Sequence, residues 1–156
     1  MAFGSQPWMY ASGEAYTIDQ SLRFNYGDGY LRRTFPSAGD QETWTYSGWV
    51  KKAKIDSSLY LFATDYSDAN NLFYINVRAS HATEGKNYTG ELVWRFGSTT
   101  TRSLRTEQKF RDCGAWMHIC AVCDTGNATN TNRLRLYVNG EEITSFSTDE
   151  RSTISQ

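Results

Sequence analysis

Glu141 and Glu142 stand side by side, and paired carboxylates are the first chemistry such a sequence could offer. Glycoside cleavage needs two carboxyl groups facing one bond, ~5 Å or ~6.5–9.5 Å apart according to the stereochemical outcome. Adjacent residues just past a turn do not meet that need, and Glu84, Glu91 and Glu107 are isolated along the chain. His118 could act as a base, but no Ser or Cys nucleophile with an orienting carboxylate can be placed beside it. A histidine inside an alternating strand is expected to be structural. The cysteines fall at 113, 120 and 123. Cys120 and Cys123 sit at i and i+3 of one apparent strand, so their side chains point to opposite faces and no disulfide joins them. A Cys-x-x-Cys metal or redox site would need a turn there and further ligands. Three free, packed thiols are the expectation, and no enzyme is predicted.

Two loops are rich in hard oxygen. Asp65, Asp68, Asn70 and Asn71 form one; Asp124, Asn127 and Asn130 form the other. Calcium takes six to eight such ligands, so Asp65, Asp68, Asn70, Asp124 and Asn127 are its candidate site. Asp and Asn are equally the residues that turns favour, which leaves no cofactor as the parallel reading. Sugar or partner contact would use exposed aromatic rings flanked by polar groups. Trp8, Tyr10, Tyr66, Tyr88, Trp94 and Arg95 are the candidates. Tyr, Phe and Trp number 10, 8 and 5, and most are expected to fill a core.

Sixteen basic and seventeen acidic residues leave a formal charge of −1. Such a balance gives no field to draw in nucleic acid or an anionic membrane. Arg32-Arg33 and Lys51-Lys52 read as solvated surface. No apolar run approaches the ~20 residues of a membrane span, and the opening residues carry no secretion signal.

The elements that must position these groups are strands. No run of 11 or more residues has helical apolar spacing; short alternating segments recur between Gly, Asn, Asp and Ser clusters. Strands are predicted over Ser21–Phe24, Tyr30–Thr34 and Thr43–Val50, the last with Trp44 and Tyr46 on one face. Gly48 offers a bulge that would move Trp49 to the other face. Leu59–Thr64 and Leu72–Arg78 form a hairpin with Phe73, Ile75 and Val77 inward. Glu91–Phe96 follows, then Trp116–Asp124 with Met117, Ile119, Ala121 and Cys123 on one side. Arg133–Asn139 places Leu134, Leu136 and Val138 inward. Asn139-Gly140 suits a two-residue type I′ turn into Glu141–Thr144. The pattern is an all-β antiparallel sandwich or barrel in one domain.

Trp116-Met-His-Ile-Cys-Ala-Val-Cys-Asp124, with Arg133-Leu-Arg-Leu-Tyr-Val-Asn-Gly140, resembles the paired central strands of laminin-G and concanavalin A-like domains. Tyr16–Asn25, Tyr30–Thr34 and Thr43–Lys52 resemble the opening of such domains in tailed, especially marine, bacteriophages. The resemblance runs over about residues 16 to 144. It implies a concanavalin A-like jelly roll over 16–156, with 1–15 as an N-terminal arm. The Glu-x-Asp-x-x-Glu string of the related glucanases is absent here. The resemblance further implies a non-enzymatic virion protein, a capsid decoration or tail-fibre component assembled in the host cytoplasm. Its partners would be other virion proteins in a homo-oligomer or multi-copy assembly. The alternative is a lectin-like adhesin for host or environmental polysaccharide; nucleic acid and membrane insertion are not expected. Ser145–Gln156 reads as a polar tail, so the closing C-terminal strands are expected to be missing or supplied by another chain. Burial of Trp8, Tyr10 and Trp94 against other chains would favour assembly. An open Trp or Tyr platform beside Asn or Asp would favour glycan binding.

Overall fold

The computed structural model describes residues 21–24, 29–37, 39–40, 42–54, 57–64, 74–78, 90–96 and 102–151. The chain divides into two units, Met1–Ser37 and Ala38–Gln156. In the second unit the strands are β1 (Thr43–Lys51), β2 (Leu59–Ala63), β3 (Tyr74–Val77), β4 (Glu91–Phe96), β5 (Arg102–Lys109) and β6 (Trp116–Asp124). A single helical turn, α1 (Asn130–Arg133), leads into β7 (Leu134–Val138), β8 (Glu141–Glu142) and β9 (Phe146–Asp149). They form a four-stranded sheet, β1-β6-β7-β8, and a five-stranded sheet, β2-β3-β4-β5-β9. Every pairing is antiparallel. The two sheets face each other as a jelly-roll sandwich of concanavalin A type.

Alternation sets what each sheet buries. From the four-stranded sheet Met117, Ile119, Ala121, Cys123, Leu134, Leu136 and Val138 turn inward; Ile75, Val77, Leu92, Trp94 and Leu104 answer from the other. Sequence placed Ile119, Ala121, Leu134, Leu136 and Val138, together with Ile75 and Val77, in the core and put Met117 and Cys123 on the same side of their strand; Phe73 lies outside the described residues. Each large side chain removed from water contributes about 1.5–3 kcal/mol. Along β1, Trp44, Tyr46 and Val50 pack on this core. The Trp44 and Trp94 rings meet between the sheets at 5.3 Å, tilted by 53°.

Asn139 and Gly140 both take positive φ, 54° and 85°, as the two-residue hairpin turn between β7 and β8 requires. The β2–β3 hairpin also forms as expected, with a register shift between Tyr60 and Phe62.

Three expectations change. Residues 21–24 and 29–35 carry no strand, and their apolar side chains Leu22, Phe24, Tyr30, Leu31 and Phe35 are exposed. Alternation alone cannot hold an extended segment without a partner ladder. The supposed polar tail supplies β9, paired on β5, with Phe146 packed on the core. Arg151, just beyond it, is buried: its guanidinium donates to both Asp149 carboxylate oxygens (2.8 and 2.5 Å) and to the Thr131 and Leu134 carbonyls (2.6 and 3.2 Å). β9 is thereby tied to the start of β7 in the opposite sheet. Finally, Lys52 is buried rather than solvated.

Gly90 joins the approach to β4 with the end of β5. Its φ is +89°, its carbonyl accepts from the Phe110 N–H at 2.6 Å, and a Cβ there would lie 2.9 Å from Arg111 Cγ and 3.1 Å from Phe110 backbone. Gly90→Ala should therefore lower unfolding free energy by about 1–3 kcal/mol, read as a shifted urea midpoint at unchanged slope. An unshifted midpoint would show that this backbone conformation is not required.

Candidate functional site

Several sequence candidates fall outside the described residues: Trp8, Tyr10, Tyr66, Tyr88, Asp65, Asp68 and Asn70. Trp94 is 0% exposed between the sheets, so it fills the core and offers no platform. Burial follows from its parity on β4, where it shares the inward face with Leu92. Arg95, its neighbour, is half-buried and pairs in register with Ser103.

Asp124 and Asn127 do come together, as a turn. Asn127 Nδ2 donates to Asp124 Oδ2 at 3.0 Å, the Asn127 N–H donates to the Asp124 carbonyl at 3.1 Å, and Asn127 Oδ1 accepts from the Thr129 N–H at 3.0 Å. Arg133 Nε closes the loop on the Asn127 carbonyl at 2.9 Å. These oxygens are engaged by N–H donors of the loop itself. Among the described residues no group of three or more His, Cys, Asp or Glu side chains is arranged for a metal.

The described carboxylates do not converge as an acid–base pair. Glu91 on β4 pairs with Lys109, Glu107 bonds Ser145, and Glu142 is held by Arg135. Arg135 donates to both Glu142 oxygens, at 2.9 and 2.6 Å, which holds that carboxyl below its ordinary range. Burial, the first cause, raises the Tyr137 phenol. The Arg135 guanidinium also lies 5.2 Å from the Tyr137 ring centroid.

What the fold does assemble is the outer face of the four-stranded sheet. β1 pairs with β6 from Thr43↔Asp124 to Lys51↔Trp116 without a shift, so Gly48 makes no bulge. A Cβ on Gly48 would come within 3.3 Å of the Tyr46 hydroxyl, so the absent side chain leaves that phenol its space on the inner side. Plain alternation then puts Thr45, Ser47, Trp49 and Lys51 outward beside Val122, Cys120, His118 and Trp116. Trp49 is 58% exposed and Trp116 50% exposed. They are diagonal neighbours, with Trp49 opposite His118 and Trp116 opposite Lys51.

Polar contacts fix this aromatic block. Ser47 Oγ and His118 Nε2 share a hydrogen bond of 2.9 Å, and the His118 ring lies 5.3 Å from the Trp49 ring, tilted by 51°. The His118 N–H donates to Asn139 Oδ1, and the Asn139 N–H donates back to the His118 carbonyl, both at 2.9 Å. Ser47–His118 has the contact of a nucleophile and its base. Among the described residues, however, no carboxylate hydrogen-bonds His118, and the strands around it turn their N–H groups into ladders rather than toward an oxyanion. The hydrogen bond ties the His118 ring, which lies against Trp49, to Ser47 on the neighbouring strand. Trp49 and Trp116 were not among the candidates read from sequence. Parity was the signal: Trp44 and Tyr46 inward forces Trp49 out once Gly48 is regular, and Met117 inward forces Trp116 out.

Cys123 points inward and Cys120 outward, the opposite faces expected of i and i+3. Burial first, then the neighbouring Asp124 charge, pushes the Cys123 thiol up to about 11. At pH 8 it should stay protonated and resist a thiol reagent in the native protein, while denaturation without reductant should release three titratable thiols. A denatured count of one would reveal a disulfide.

A family model described as the concanavalin A-like lectin/glucanases superfamily matches residues 25–155. Among solved structures, the native heptameric SAP-like pentraxin from Limulus polyphemus matches at 17% identity and a TM-score of 0.42. The match covers 74% of this chain and 51% of that one, so the chain spans about half the pentraxin's length. No curated protein matches the sequence.

Proposed function

The chain belongs to the concanavalin A-like lectin/glucanases superfamily, and on that premise we propose a non-enzymatic module that holds saccharide chains on the outer face of its four-stranded sheet. One observation carries this reading: two half-exposed indoles, Trp49 and Trp116, lie on one flat face whose register cannot slip. The C–H face of a pyranose is apolar and stacks on an indole, while its hydroxyls need nearby donors and acceptors. Ser47 and His118 stand on the same face beside the rings. The open Trp platform adjoining Asn139 is the feature that favours glycan binding over burial in an interface.

A second reading rests on a different observation. Within Met1–Ser37, Leu22, Phe24, Tyr30, Leu31 and Phe35 expose large apolar side chains over a short stretch. Apolar surface of that kind favours contact with other protein chains. It supports the multi-copy virion assembly that the phage resemblance implies. The two readings are compatible, since a virion protein can both assemble and bind a surface polysaccharide.

Replacing Trp49 or Trp116 by Ala should weaken binding to a responsive polysaccharide about tenfold or more with only a small drop in the thermal midpoint, because about half of each residue is in solvent. Affinity electrophoresis across a polysaccharide panel reads this directly. Retention unchanged in both variants would remove the platform from the function. Chelation by EDTA should leave retention unchanged, because Asp124 lies at the opposite end of the β1–β6 ladder from Trp116, ~26 Å away at ~3.3 Å per residue. Loss of retention with EDTA would instead return calcium to the site.

A further inference from the structure

The ligand's charge can be read from what stands between the two indoles. Lys51 follows Trp49 by two positions on β1, so both project from the same face, and it is the cross-strand partner of Trp116. Lys51 is exposed, and its position on the face is next to those of both Trp49 and Trp116. Among the described residues Lys51 makes no ion pair, in contrast to Arg135 on β7, which is spent on Glu142.

Among the described residues, no carboxylate occupies an outward strand position next to Lys51. The outward positions nearest Lys51 are Trp49, Trp116, His118 and Ser47. Asp124 stands at the far end of the ladder. Asp112, the nearest acid in sequence before Trp116, accepts from the Gly114 and Ala115 N–H groups at 2.6 and 3.2 Å. Glu142 is neutralised by its bidentate arginine. Among the described residues, a chain of formal charge −1 thus presents a lysine without an ion pair on the same sheet face as the exposed Trp49 and Trp116.

We infer that the Trp49–Lys51–Trp116 block selects anionic saccharides, pyranose chains carrying carboxylate or sulfate groups. This inference rests on the saccharide-binding reading above. The indoles supply charge-blind stacking, and the ammonium adds attraction only when the stacked sugar or its neighbour is negative. Lysine suits this task as a compact point charge on a flexible stem, which can meet either anion at variable depth. Attraction between exposed charges is modest and screened by salt, so the preference should also be modest and salt-sensitive.

The test is calorimetry of the full chain with two matched ligand pairs: oligogalacturonate against its methyl ester, and sulfated dextran oligosaccharide against dextran. In at least one pair the anionic member should bind about threefold to fivefold tighter at low salt, with the advantage fading at high salt. Lys51→Met keeps the apolar stem and removes the charge, and should abolish that advantage while leaving the neutral member's affinity intact. Trp116→Ala should weaken both members alike. Neutral members binding as tightly as anionic ones, or a preference that survives Lys51→Met, would overturn the inference while leaving saccharide binding in place. Absence of binding to any saccharide, in these pairs and across the polysaccharide panel, would overturn both.

Discussion

Nine successive residue pairs join β1 to β6. A strand has a side-chain period of two, so a slip of one residue anywhere in this ladder would exchange its two faces. Trp44, Tyr46 and Val50 would leave the core, and Ser47, Trp49 and Lys51 would enter it. The cost of exposing three large apolar groups while burying a lysine is what pins the register. Gly48 contributes by its lack of a side chain, leaving the Tyr46 hydroxyl room on the inner side. The same interaction that fills the core therefore fixes the outer platform, without any separate device to hold it.

The second sheet has to stay opposite the first for that to work, and the seam is closed in two ways. Apolar contact supplies most of it, with Trp94 seated against Trp44. Arg151 supplies a polar tie, joining Asp149 at the end of β9 to carbonyls of α1 and β7. The guanidinium also lies over the Phe146 ring, its carbon 4.9 Å from the ring centroid. Asp149 is held below its ordinary carboxylate range chiefly by these hydrogen bonds from Arg151. The tie is thus complete above the ordinary carboxylate pKa and is lost as pH falls through the lowered one.

Strands whose two faces differ sharply were legible in the sequence. β7 sets Leu134, Leu136 and Val138 against Arg135 and Tyr137, β6 carries Met117, Ile119, Ala121 and Cys123 at every second position, and Asn139-Gly140 names its own turn, so their inward residues could be assigned in advance. β5 was not legible, because Arg102-Ser-Leu-Arg-Thr-Glu-Gln-Lys109 contains one apolar residue, Leu104, and the strand is defined by the ladders on either side of it. β9 was hidden for the same reason, with Phe146 as its single large apolar group. Residues 21–24 and 30–34 show the opposite failure, alternation without a partner. The site was missed because type was weighed before parity. Trp94, next to an arginine, looked like a platform, yet β4 turns it inward; Trp49 and Trp116 were not among the candidates, yet β1 and β6 turn them out.

A flat strand face also limits what such a site can do. It leaves a bound chain open to water on one side, so it cannot desolvate a reacting bond or surround a developing charge, and catalysis gains little there. It holds its rings rigidly, however, since Trp49 and His118 rise from paired backbone and Ser47 and Asn139 fix the histidine between them. Rigid stacking lowers the ordering cost of binding without enlarging the contact, which leaves single-site affinity weak. Weak sites become effective when many copies meet a repeating ligand, because each later contact is made at high local concentration. A repeating polysaccharide is such a ligand, and a many-copy assembly is the arrangement in which a shallow two-tryptophan platform is sufficient.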